Sequence, residues 1–183
     1  MTKSELRKVY LEKRQQTSND VLLQLASTIY EQVYNLDLSQ VKTAHIFLTL
    51  KKFKEIDTLP IIHYLREKNI KVAVSKSDFI TNSLQHYYLE EQTKTELSRY
   101  GIPEPLNALE AKETDLDLVF VPLLISDKHN FRVGYGKGFY DRFLAKCRKN
   151  VATVGLNLFK PIDEIKDINE FDVPLDKVIY PNG

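Results

Sequence analysis

The segment Phe131-Arg132-Val133-Gly134-Tyr135-Gly136-Lys137-Gly138-Phe139-Tyr140-Asp141-Arg142 concentrates residue types that handle phosphate. Three glycines alternate with other residues, so the backbone can turn sharply and approach a ligand closely. Free N–H groups at a helix start attract anions, and the helix dipole adds to that attraction. Arg132 and Lys137 bring positive charge to the same place. The order is neither G-x-x-x-x-G-K-[ST] nor G-x-G-x-x-G, so neither common glycine motif is present here. The same three glycines also suit a tight structural connection with no ligand.

Such a turn needs a strand before it and a helix after it. Leu116 to Ile125 is the most strand-like run in the chain, and Phe139 to Lys149 has helical spacing with Phe139, Phe143 and Cys147 on one side. At the other end, Thr2-Lys3-Ser4-Glu5 has the form of a capping box and predicts a first helix to about Gln16. Thr17 to Asp20 offers a second cap, before the apolar stripe Val21, Leu22, Leu25, Ile29 and Val33. Strands are expected at Thr43 to Leu50, Ile70 to Val74, Leu84 to Leu89, Val151 to Leu156 and Val178 to Tyr180. A third helix follows Asp57 or Thr58, with Pro60 in its first turn. Glu90 to Glu113, with Gly101, Pro103 and Pro105, reads as a connection. Alternating strands and helices predict an α/β fold with a mainly parallel sheet covered on both faces.

The 183 residues suit one domain, and no linker divides them. The formal net charge of +1 gives no global basic field for nucleic acid. A single cysteine, Cys147, excludes an intramolecular disulfide framework and is read as a packed thiol. The charged start Met-Thr-Lys-Ser-Glu-Leu-Arg lacks the apolar run of a signal or anchor, so a cytoplasmic location is expected, with no membrane partner. His45, His63, His86 and His129 have no metal-ligand spacing and are read as structural or surface residues.

The long glycine segment, with Val121-Pro122 and Asp127 before it, resembles the signature of 5-formyltetrahydrofolate cyclo-ligases, also called methenyltetrahydrofolate synthetases. Lys3-Ser4-Glu5-Leu6-Arg7 is similar to that family's N-terminal K-x-x-L-R, Glu55-Ile56-Asp57-Thr58 to its E-I-x-T, Gly101-Ile102-Pro103-Glu104-Pro105 to its G-I-x-E-P, and Asp172 to Val178 to its C-terminal run. The order is kept along the whole chain. The resemblance implies a Rossmann-like three-layer α/β/α sandwich acting as one domain over residues 1–183, and a monomer.

It also implies the chemistry. ATP would phosphorylate the formyl oxygen of 5-formyltetrahydrofolate, and ring closure would give 5,10-methenyltetrahydrofolate, ADP and phosphate. Phosphoryl transfer of this kind needs positioning and charge neutralisation rather than an activated serine or cysteine. By resemblance, Lys3, Arg7 and the run Arg132, Val133, Gly134, Tyr135, Gly136, Lys137, Gly138, Phe139 and Tyr140 would bind ATP. Lys137, Arg132 and Tyr140 would act in catalysis. Leu48, Glu55 and the turn residues Tyr135 to Phe139 would meet the folate. Asp141 and Asp176 would face Mg²⁺, with Asp172 a rival to Asp176.

Without the resemblance, several of these residues have plainer readings. Lys3 and Arg7 suit a solvated helix face, and Glu55 a lysine-rich surface loop. Asp141 suits a first helical turn, Asp176 a turn after Pro174, and Leu48 a strand core. Arg14 lies near the Lys3/Arg7 stripe, but no motif supports it. The alternatives in function are a sugar-phosphate isomerase or phosphotransferase on the same scaffold, or a catalytically silent nucleotide-binding relative.

Overall fold

A computed structural model of the chain describes residues 1–181. Helix α1 (Lys3–Gln16) starts at the expected capping box: Thr2 accepts from the Glu5 N–H, and the Glu5 carboxylate accepts from the Thr2 N–H. Helix α2 (Asn19–Tyr34) is capped by Ser18, whose hydroxyl accepts from the Val21 N–H. Helix α3 (Leu59–Glu67) carries Pro60 in its first turn, where the missing N–H costs nothing. The fourth helix, α4 (Phe139–Leu144), is only six residues long.

Strands β1 (Thr43–His45), β2 (Lys71–Asp78), β3 (Ser83–Tyr88), β4 (Thr95–Leu97), β5 (Pro103–Pro105), β6 (Glu110–Ala111), β7 (Leu118–Pro122), β8 (Ile125–Ser126), β9 (Arg132–Val133), β10 (Ala152–Leu156) and β11 (Lys177–Ile179) complete the framework. Seven form one sheet in the order β11-β10-β7-β1-β2-β3-β6. The first five are parallel, and β3 and β6 run antiparallel at one end. The architecture is therefore α/β with a mainly parallel sheet, as the sequence predicts.

Side chains alternate across the sheet. Leu118, Phe120, Val72 and Val74 pack with Leu6, Ile29, Val33, Ile61 and Leu65 from the first three helices. Val119, Val121 and Ala73 point the other way, to Phe143 and Leu144 of α4. Cys147 packs on that second side, and burial pushes its thiol up to about 11. No helix among the described residues is long and apolar enough to cross a membrane.

Three expected elements differ most. The strand expected over Thr43 to Leu50 ends at His45. Beyond it, the Ile46 N–H still reaches Ala73 O at 2.9 Å, but the Phe47 carbonyl accepts from the Thr58 hydroxyl and the Leu50 N–H donates to Glu55. Those backbone groups are thus satisfied by the next loop rather than by a neighbouring strand. The helix expected to reach Lys149 stops at Leu144, where Lys146 and Cys147 make tighter bonds back to Phe143 and Leu144. Arg148 is held by Asp117 and the Leu116 carbonyl. The connection from Glu90 to Glu113 contains the small hairpin β4–β5 and the edge strand β6.

Candidate active site

The turn from β9 into α4 opens on a cavity of about 510 Å³. Gly136 (φ +89) and Gly138 (φ +64) hold left-handed backbone that other residues adopt only with strain. The Arg7 side chain from α1 lies across this turn. Its Nε donates to the Gly134 carbonyl at 2.9 Å, and a Cβ on Gly136 would stand 3.0 Å from its guanidinium carbon. Lys3 and Arg7, one helical turn apart, both line the cavity, as does exposed Lys137. With α4 so short, its dipole adds little, and the positive character of this end comes from Lys3, Arg7, Arg132 and Lys137.

Two of these cations are partnered. Lys3 forms an ion pair with Asp172. Arg132 is buried. It donates to Asp141 at 2.7 Å and to the Val173 carbonyl at 2.7 Å, which ties α4 to the C-terminal segment. Burial lowers the Arg132 pKa, and the Asp141 carboxylate opposes that shift. Among the described residues the Lys137 ammonium has no ion-pair partner.

Glu55 is a half-buried carboxylate of the cavity, held by hydrogen bonds rather than free as a loop charge. Its Oε2 accepts from the Leu50 N–H at 2.7 Å, and its Oε1 accepts from the Tyr135 hydroxyl at 2.5 Å. Burial pushes its pKa up, against those two bonds and the charge of Arg14. Tyr135 therefore joins the glycine turn to Glu55, and its hydroxyl also receives Arg14 Nη1 at 3.3 Å. Burial pushes the Tyr135 and Tyr140 phenols up as well, so both stay protonated donors.

The remaining wall is aromatic and apolar. Phe53 stacks on Tyr135 at 4.9 Å, and Phe79 meets Tyr100 at 4.1 Å and Phe139 at 5.3 Å. Leu48, Phe139 and Tyr140 line the same space.

Of the residues singled out from sequence, Lys3, Arg7, Leu48, Glu55, Arg132, Gly134 to Tyr140 and Asp141 all line this one cavity. Val133 and Asp176 do not. The Val133 side chain is in the core, where β9 pairs with β8. Asp176 caps Thr153 instead: its Oδ2 accepts from the Thr153 N–H and hydroxyl, both at 2.8 Å. Asp172, its rival, is in the lining.

Arg14, Phe53, Phe79 and Tyr100 had no sequence signal beyond Arg14's place near the Lys3/Arg7 stripe. Arg14 is 2% exposed, and it also donates to the Leu123 carbonyl.

Mg²⁺ prefers one or two carboxylates plus phosphate oxygens and water. Asp141 and Asp172 fit that donor set: Arg132 holds the first in place, and the second pairs with Lys3. No group of three or more His, Cys, Asp or Glu side chains suited to a metal occurs among the described residues, so there is no dedicated protein cage.

Fold and cavity define an α/β enzyme in which a cationic glycine turn faces an aromatic pocket with a half-buried carboxylate. The chain belongs to the 5-formyltetrahydrofolate cyclo-ligase family, whose profile matches residues 1–181. It is 28% identical over 180 residues to the 5-formyltetrahydrofolate cyclo-ligase of Mycoplasma pneumoniae, covering 98% of each chain. It is 28% identical over 146 residues to that of Escherichia coli, covering 76% of this chain and 78% of the relative. The solved structure of Aquifex aeolicus 5,10-methenyltetrahydrofolate synthetase superposes with a TM-score of 0.81 at 26% identity, covering 98% of this chain and 89% of that one.

Proposed function

We propose that this chain, acting as one catalytic domain, converts 5-formyltetrahydrofolate to 5,10-methenyltetrahydrofolate with consumption of ATP. The observation that carries this reading is convergence: a cationic, glycine-lined turn and an aromatic pocket holding Glu55 meet in one cavity. Family membership supports the same substrate class.

The formyl oxygen attacks the terminal phosphorus of ATP, and ADP leaves. That oxygen, a poor leaving group on an amide-like carbon, is thereby turned into a phosphate ester. The second folate nitrogen then attacks the formyl carbon, the C–O bond breaks, and phosphate departs carrying the formyl oxygen. The nitrogen loses its proton as the ring closes.

Lys3, Arg7 and Lys137 hold and neutralise the phosphates, and Gly134 to Gly138 let the backbone come close. Arg132 orients Asp141 and keeps α4 against the C-terminal segment. Glu55, held by Tyr135 and the Leu50 N–H, fixes the folate through its polar groups. Phe53, Phe139 and Tyr140 flank the flat ring system, and Leu48 packs against it. Asp141 and Asp172, the latter in place of Asp176, are the carboxylates that would hold Mg²⁺. The ion supplies charge neutralisation for the phosphate oxygens when bound.

The test is direct. Purified protein is mixed with 5-formyltetrahydrofolate and MgATP, and the near-ultraviolet band of the methenyl product is followed together with ADP. Both should rise, and neither should appear when either substrate is left out. Absence of both products with both substrates present would sink the reading.

A further inference from the structure

A polar chain beside the cavity is left unused by the reaction above. Ser75 on β2 stands between His45 on β1 and His86 on β3, and is paired in register with His86. His45 Nε2 lies 2.7 Å from Ser75 Oγ, and His86 Nδ1 lies 2.9 Å from the same oxygen. The two histidines are 0% and 2% exposed. Their other nitrogens, His45 Nδ1 and His86 Nε2, are buried with no hydrogen-bond partner. Ser75 itself is half-buried and lines the cavity.

Burial keeps both imidazoles neutral, so each carries one N–H. Their pKa values move accordingly, that of His45 well below the ordinary range and that of His86 down to about 4. An orphaned buried N–H is rarer in proteins than an under-used acceptor. Each ring therefore turns its single N–H toward Ser75 and leaves its bare nitrogen facing the core. The two lone pairs of the serine oxygen are then filled by two donors. Its own hydrogen has no acceptor within this trio and is left for the cavity. Protein hydroxyls usually rotate to suit their surroundings; this one is fixed from behind.

We propose that Ser75 is a ligand-binding residue, a pre-oriented neutral donor that hydrogen-bonds an uncharged acceptor, a carbonyl oxygen or ring nitrogen, on the folate. His45 and His86 position it. The assignment to the folate rather than the nucleotide follows from charge. Strands β2 and β3 contribute Ser75, Ser77 and Leu84 to the lining, none of them charged, whereas the lining cations come from α1, the Lys51–Phe53 segment, Arg132 and the glycine turn. A neutral donor in neutral surroundings matches a neutral acceptor. The inference rests on the folate reading above.

Two measurements on the intact chain test it. In wild-type protein, ring ¹⁵N–¹H correlation spectra of labelled histidines should show His45 protonated at Nε2 and His86 at Nδ1. A proton on the opposite nitrogen of either ring would mean that the serine hydrogen is used inside the trio, and would overturn the proposal. In calorimetry without turnover, Ser75→Ala should bind 5-formyltetrahydrofolate about fivefold to tenfold more weakly, the loss expected for one neutral hydrogen bond. Its affinity for ATP should be unchanged. Equal folate affinity in wild type and Ser75→Ala would overturn the Ser75 assignment alone. A wild-type protein that binds no 5-formyltetrahydrofolate would overturn the folate reading and this inference with it.

Discussion

Replacing Tyr135 by phenylalanine removes one oxygen from the bridge between the glycine turn and Glu55. The ring remains, with its stack on Phe53 at 4.9 Å. Two hydrogen bonds are lost. One is received from Arg14 at 3.3 Å, long enough to contribute little. The other is donated to the Glu55 carboxylate at 2.5 Å. A bond to an ionised group contributes about 1.5–3 kcal/mol and one to a neutral group about 0.5–1.5 kcal/mol. The cost of Tyr135→Phe should therefore depend on pH.

Burial raises the folded Glu55 pKa above the unfolded value, and the Tyr135 hydroxyl pulls it back down. Losing the hydroxyl raises it further. The folded variant then holds its proton to higher pH than folded wild type, so the stability gap widens as pH rises through the Glu55 titration. Urea unfolding of both proteins over a pH series that spans the Glu55 titration should show a gap of about 1 kcal/mol at the acid end. It should grow to about 2–3 kcal/mol at the alkaline end. In a Glu55→Gln background the gap should stay small at every pH. A gap that is constant with pH, or equally large without the Glu55 carboxylate, would refute this account of the bridge.

Other expectations are more compact. Gly136→Ala forces a side chain into left-handed backbone and against the Arg7 guanidinium, so it should cost about 1–2 kcal/mol and weaken ATP use. A Cβ on Gly134 meets nothing within 4 Å, so Gly134→Ala should fold as wild type does, and any rise in KM for ATP would report ligand crowding. Asp176→Ala should lower stability through Thr153 yet leave the Mg²⁺ dependence of turnover unchanged, whereas Asp172→Ala should shift it. His86 adds an acid-sensitive term. Unfolded it binds a proton below about 6.5, and folded only below about 4, so stability should fall by roughly 3 kcal/mol as pH drops through that window. His86→Gln should unfold in acid with a correspondingly shallower slope, read by urea titration.

Much of this was legible where the signal is local. The T-x-x-E cap gave the start of α1, and the apolar run from Leu116 to Ile125 gave β7. The length of α4 was not legible, because its end is set by tertiary contacts: Arg148 is held by Asp117, far away in sequence, although Phe139 to Lys149 looks helical throughout. The end of β1 is likewise decided by the Thr58 hydroxyl and Glu55 taking over its backbone.

In the site, the glycine turn, Lys3 and Arg7 could be read from motifs. Glu55 was marked by its E-I-x-T motif, but only folding shows Tyr135, eighty residues on, holding it among Lys51, Lys52 and Lys54. Phe53, Phe79 and Tyr100 meet the cavity only through folding, and buried Arg14 touches the site only through the Tyr135 hydroxyl. Asp172 and Asp176 share an aperiodic loop, so only contacts could separate them, Lys3 taking one and Thr153 the other.

The central claim is that ATP activates the formyl oxygen itself. A single-turnover reaction with 5-formyltetrahydrofolate labelled with ¹⁸O in the formyl group tests it, with mass analysis of the released phosphate. One ¹⁸O atom should appear in each phosphate for each methenyl product formed. Unlabelled phosphate alongside full product formation would contradict the account.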